Sequence, residues 1–136
     1  MKTGVIVLFH GSRAGDAEAA ARRLCDDVVR QGGYGMVEPA YLQHAQPGLA
    51  DAVEAVVRRG AERIVIVPFF MLPGAHVTAD IPAHVNSMRA RYPAVEFSVT
   101  GPVGAHPLMA TIVAELVGKS NAERPASGTG SVRSAE

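Results

Sequence analysis

Val5-Ile6-Val7-Leu8-Phe9 runs directly into His10-Gly11-Ser12-Arg13. Five apolar residues with no polar alternation, closed by turn-forming residues, read as a strand covered on both faces. Such strands belong to parallel sheets sandwiched between helices. In open sheets of that kind, ligands bind in the crevice outside the carboxyl ends of the strands. His10 therefore falls at the tip of the first strand, where a functional group is useful.

The remainder of the chain repeats the pattern. The first strand covers roughly residues 4–9. Ala17, Ala20, Ala21, Leu24, Cys25, Val28 and Val29 recur at helical spacing, with Asp16 placed to cap the helix and Gly32-Gly33 to end it. Residues 36–43 read as a second strand, and Pro39 inside it calls for a sheet edge. After the turn Gln46-Pro47-Gly48, Leu49, Ala52, Val53, Val56 and Val57 mark a second helix that stops at Gly60. Residues 63–70 form a β-branched third strand, predicted to be central and buried.

The loop 71–76 leads into a third helix, with Ile81, Val85, Met88 and Tyr92 inward and Pro93 as its stop. Pro82 suits a first helical turn, so the regular helix is predicted to begin near Asp80, its natural N-cap. Residues 95–99 make a fourth strand. Leu108, Ile112, Val113 and Leu116 give the face of a last helix. From Gly118 onward the apolar periodicity ends. We therefore expect one domain over 1–117 and a disordered tail over 118–136. Four βα repeats with right-handed crossovers predict an α/β protein: a flavodoxin-like, three-layer domain with a four-stranded parallel sheet and helices on both faces.

Composition narrows the function. Lys plus Arg and Asp plus Glu are both 13, so no basic field argues for nucleic acid. No apolar run reaches the roughly 20 residues needed to span a bilayer. The apolar run after Lys2 is too short for a signal peptide and lacks a cleavage pattern, which points to a cytoplasmic protein. The single cysteine, Cys25, excludes an internal disulfide, and its place on an apolar helix face makes it a core residue.

The loops after strands one and three lie at the same end of the sheet and carry His10 and His76. Those strands are neighbours at the switch point of a flavodoxin-like order. Two imidazoles there suit a borderline divalent ion, and either can act as a base near neutral pH. Ser12 and Arg13, before a helix N-terminus, offer donors to a carboxylate or phosphate. Met71 and Leu72 are more apolar than a loop rim requires and suit a flat apolar ligand. Asp80 reads equally as a cap or as part of a metal shell, and His84 as an exposed helix residue. His44 and His106 lie at strand ends as secondary candidates. A non-catalytic metal-binding module would use the same two histidines. A histidine-based phosphoryl-transfer enzyme would want more arginines in the loops than this chain supplies.

His10-Gly11-Ser12-Arg13, together with Pro68-Phe69-Phe70-Met71-Leu72-Pro73-Gly74-Ala75-His76-Val77-Thr78-Ala79-Asp80-Ile81-Pro82, closely resembles the small CbiX-type sirohydrochlorin chelatases. The resemblance runs over residues 4 to about 117 and includes Pro47 and the turn 101–107. It implies a class II chelatase half-domain that acts as a homodimer without ATP. His10 and His76 would be its metal-binding and catalytic pair, and Ser12, Arg13, Met71 and Leu72 its substrate contacts. The substrates would be sirohydrochlorin and a divalent metal, Co²⁺ first, with Ni²⁺ or Fe²⁺ as alternatives. The resemblance implies no other cofactor, and a route to cobalamin or sirohaem. Where relatives commonly carry an acidic residue after the second strand, this chain has Gln43-His44.

Overall fold

In a computed structural model of the chain, residues 1–72 and 74–122 are described, without the side chains of 75–79 and 122. The chain divides into two compact units, Met1–Ala105 and a second that starts at His106.

The first unit is built on β1 (Thr3–Phe9), which pairs in parallel with β2 (Met36–Tyr41) on one side and β3 (Arg63–Pro68) on the other. β4 (Glu96–Val99) adds to β3, giving the order β2-β1-β3-β4. This is the flavodoxin-like order, with the direction of winding reversing beside β1. β2 is an edge strand, so the ladder donor that Pro39 lacks is lost on the periphery.

The unbroken apolar run of β1 is explained by its two neighbours in depth. Ile6 and Leu8 enter one core with Val53 and Val56 of α2 (Leu49–Arg58) and Ile81, Val85 and Met88 of α3 (Ala75–Arg91). Val5 and Val7 enter a second core with Cys25 of α1 (Ala17–Gly32). Burying side chains such as Ile6 and Leu8 contributes about 1.5–3 kcal/mol each. β3 is central, as expected, but only half as well covered. Ile64 and Ile66 are fully buried, while Val65 and Val67, on the α1 face, are half-buried.

α1 ends at Gly33, which takes a left-handed φ of 74° and donates its N–H to Val29 O. Asp16 holds the N-cap position, but its carboxylate makes no capping bond. The start of α3 differs from expectation. The helix begins at Ala75 with Gly74 as N-cap, and Pro82 lies inside it. Asp80 is therefore a helix-interior position rather than a cap. His76, Asp80 and His84 fall at successive four-residue steps of one continuous helix, on the same face.

Cys25 is buried, and desolvation pushes its thiol from an ordinary 9.0 up to about 11. The folded state thus keeps a proton that the unfolded chain gives up near pH 9. This contribution to stability is complete below pH 9 and declines as pH rises through about 11. Denaturant titrations at pH 8 and 11 should show the loss in wild type and a smaller one in Cys25→Ala.

In the second unit, α4 (Leu108–Ala122) starts where His106 Nδ1 accepts the Leu108 N–H at 3.1 Å. His106 is thereby a helix cap. The expected inward face is exposed: Leu108, Ile112, Val113, Leu116 and Val117 are 47–61% accessible. The helix also runs past Gly118 to Ala122, beyond the boundary read from composition; residues 123–136 of the expected tail lie outside the described residues. Among the described residues, no helix is long and apolar enough to cross a membrane.

Candidate functional site

The parallel ladder between β1 and β2 continues past the strand ends. Leu42 N–H donates to Phe9 O at 3.0 Å, and Gln43 N–H to His10 O at 3.1 Å. His10 is thus fixed by its backbone at the carboxyl end of the sheet, with its side chain exposed. Its ring lies against Phe70, centroids 4.3 Å apart and planes tilted by 40°. Among the described residues no partner engages its ring nitrogens, which leaves both free for a ligand.

Phe70 is 2% exposed and belongs to the core under α3. It also lines an apolar groove of about 350 Å³ with Ile81, Pro82 and Val85. On the opposite face of the sheet, Phe9 stacks on Tyr41 at 5.9 Å and meets Phe69 at 5.1 Å. Aromatic rings therefore support the carboxyl ends of β1, β2 and β3 from both sides. From the sequence, core packing explains Phe69 or Phe70; the contact of Phe70 with His10 comes from the structure. The period of two was the available signal, because it separates Phe70 onto the His10 side.

Gly11 has φ +97°, and a Cβ there would lie 1.7 Å from Gln43 O. Only glycine permits this turn. Ser12 Oγ accepts the Ala14 N–H at 3.0 Å, closing the turn into α1, while its own O–H stays available to donate. Arg13 Nε donates to His44 Nδ1 at 3.2 Å. That bond selects the His44 tautomer with its proton on Nε2. His44 itself has φ +66°, a strained conformation for a residue with a side chain. The Arg13–His44 pair was not foreseen, since it joins the loops after β1 and β2. Beside it, Gln43, His44 and Asp51 line a hollow of about 430 Å³.

The loop after β3 is held by the loop after β4. Gly104 N–H donates to Phe70 O at 2.9 Å, and a Cβ on Gly104 would lie 1.9 Å from Met71 O. Met71 and Leu72 project outward, 46% and 87% exposed. His76 is the second residue of α3, at the carboxyl end of β3, and its side chain is outside the described residues. Topology thus brings the backbones of His10 and His76 to one end of the sheet, with Gln43 and His44 beside His10. Asp80 and His84 lie one and two helical steps further along α3, and both are exposed. Among the described residues, no three metal-ligating side chains cluster.

The order β2-β1-β3-β4, with His10 exposed at the carboxyl end of β1, defines a doubly wound α/β protein, a class in which ligands bind outside the carboxyl ends of the strands. The CbiX family model matches residues 4–120, and the chain belongs to that family. It is 32% identical over 114 residues to the chloroplastic sirohydrochlorin ferrochelatase of Arabidopsis thaliana, covering 84% of this chain and 51% of that one. It is 25% identical over 123 residues to the sirohydrochlorin cobaltochelatase of Methanosarcina barkeri, covering 85% of this chain and 95% of that one. The structure of the sirohydrochlorin chelatase SirB from Bacillus subtilis subspecies spizizenii in complex with cobalt superimposes with TM-score 0.78 at 27% identity, covering 88% of this chain and 51% of that one. The chain spans about half the length of the first curated relatives it matches.

Proposed function

We propose that this chain inserts a divalent metal into sirohydrochlorin, without ATP, as a homodimer. Co²⁺ is the first candidate, with Ni²⁺ or Fe²⁺ handled by the same site, and the route leads to cobalamin or sirohaem in the cytoplasm. The observation that supports this most is the position of His10, exposed at the tip of β1 with its ring nitrogens free, on a scaffold whose next strand leads to His76.

Insertion exchanges the metal's waters for four pyrrole nitrogens and releases two N–H protons. Neutral imidazoles of His10 and His76 hold the arriving ion while leaving coordination positions open. One of them, or a water beside it, takes up a released proton. Ser12 O–H and the terminal guanidinium N–H groups of Arg13 hold peripheral carboxylates of the macrocycle. Met71 and Leu72 press on its apolar face. A single small chain offers little surface for so broad a ligand, and a second copy supplies the other wall.

Absorbance of sirohydrochlorin with each metal tests this. Many equivalents of product per chain are expected, whereas one equivalent at most would make the protein a carrier. Asp80 and the Gln43-His44 pair are proposed as outer members of the site. His44→Ala should slow insertion about tenfold by releasing Arg13. Gln43→Glu should alter the order of preference among the metals, because it adds a negative charge. Unchanged rates in both variants would remove the loop after β2 from the mechanism.

A further inference from the structure

The turn Gly101-Pro102-Val103-Gly104 follows β4 within the first compact unit. The ladder runs past the strand ends here, with Phe69 N–H on Leu8 O at 2.7 Å and Thr100 N–H on Ile66 O at 3.0 Å. The turn closes through Ala105 N–H on Pro102 O at 3.1 Å and comes back onto the segment that follows β3. Gly104 makes that contact. Its N–H donates to Phe70 O at 2.9 Å, and its α-carbon abuts the backbone of Met71.

A Cβ on Gly104 would meet Met71 O at 1.9 Å, C at 2.4 Å and Cα at 2.5 Å. All three are backbone atoms, so no side-chain rotation relieves the overlap. Real Cβ atoms stay beyond 3.0 Å of their neighbours, so the two segments would have to part by about 1 Å. Gly104 is not one of the glycines with a left-handed φ. Close approach alone demands glycine here. The peptide that Gly104 holds acts in two directions. Phe70 is 2% exposed, and its ring centroid lies 4.3 Å from that of His10. Met71 opens the segment that leads to Ala75, where α3 begins one residue before His76. A shift of this peptide therefore reaches the surroundings of both histidines.

On the reading that His10 and His76 hold the metal, we propose that Gly104 is a positioning residue for that site. Its N–H and bare α-carbon set the place of the ring under His10 and the point from which the chain departs toward His76. Gly104 touches neither metal nor macrocycle. It fixes how the two histidine-bearing segments stand to one another. A misplacement of about 1 Å far from the chemistry costs on the order of 10²-fold in rate. Loss of an outer support weakens metal binding about 10–100-fold.

Gly104→Ala is tested against Gly101→Ala, a change in the same turn where nothing lies within 4 Å of a Cβ. The first readout needs no metal. In ¹H–¹³C spectra of the full chain, the His10 ring signals carry a ring-current shift from Phe70. Gly104→Ala should move them toward the values of a free histidine, and Gly101→Ala should leave them in place. The second readout is Co²⁺ alone, titrated by its visible absorption. Its affinity should fall at least about tenfold in Gly104→Ala only. The kcat for insertion into sirohydrochlorin should fall about 10²-fold in the same variant. All are read well below the thermal midpoint, with far-UV circular dichroism as the check on folding, so lower stability alone moves none of them. Where Gly104→Ala does not fold, Pro102→Gly slackens the turn without a clash and should shift the His10 signals and Co²⁺ affinity in the same directions, by less. In wild type the Gly104 amide should exchange slowly with solvent. Unmoved His10 signals, unchanged Co²⁺ affinity where wild type binds Co²⁺, equal damage from Gly101→Ala, or a fast-exchanging Gly104 amide would each overturn the assignment. Failure of the metal reading looks different: wild type then neither binds Co²⁺ nor metallates sirohydrochlorin, while the His10 signals still respond to Gly104→Ala.

Discussion

His10→Ala is expected to lower the rate of metal insertion into sirohydrochlorin by about 10²–10⁴-fold, the range for loss of a group that moves a proton at the reacting centre. The fold should survive. His10 is exposed, its ring makes one aromatic contact, and its backbone bond with Gln43 is independent of the side chain. The thermal midpoint should therefore move by only a few degrees while activity collapses. Phe70→Ala provides the contrast. Phe70 is 2% exposed, and emptying its place costs about 3–5 kcal/mol of stability as well as the support under His10. His76→Ala should match His10→Ala in activity, since the proposed mechanism uses the two imidazoles together. Full activity in both histidine variants would place the chemistry elsewhere even though the chain belongs to the CbiX family.

Gly11→Ala should be the most damaging small substitution in the strand-tip loops. A residue with a side chain at φ +97° pays more than about 1–2 kcal/mol in backbone strain alone. The new methyl would also sit 1.7 Å from Gln43 O, so the loops after β1 and β2 must separate, at a further cost of about 1–3 kcal/mol. A total near 3 kcal/mol lowers the melting temperature of a chain this size by about 10 °C. Activity should fall further than stability, because the displaced loop carries Gln43 and His44 away from His10 and Arg13. Gly15→Ala, four residues on, is the control. Nothing lies within 4 Å of a Cβ there, and the change should stay within about 0.5 kcal/mol. Equal melting of the two variants would mean that the Gly11 turn is not as tight as described.

Much of the fold was legible in residue order because each segment had one dominant physical requirement. The unpatterned apolar run 5–9 demanded cover on both faces, and β1 has it. Pro39 could be tolerated only where a ladder donor is dispensable, and β2 is an edge strand. The start of α3 was misread for an equally local reason. Proline favours a first turn, but here Pro82 is carried in a helix whose Ile81, Val85 and Met88 are buried in the core. Packing of that face outweighed the local preference.

By itself the sequence determined the βα alternation, the edge and central strands, and the placement of His10 and His76 at one end of the sheet, although His76 stands in the first turn of α3 rather than on the loop. These follow from hydrophobic period and from the handedness of crossovers, both of which are properties of short segments. Only the tertiary structure decided what stands around His10. Phe70 beneath its ring, Gln43 on its carbonyl and Arg13 on His44 are contacts between segments 30 or more residues apart, made by register and by one glycine turn. The same holds for Ile6 and Leu8 entering one core while Val5 and Val7 enter the other. Periodicity says that a helix or strand has an apolar face, but only the assembled layers say whether anything covers it.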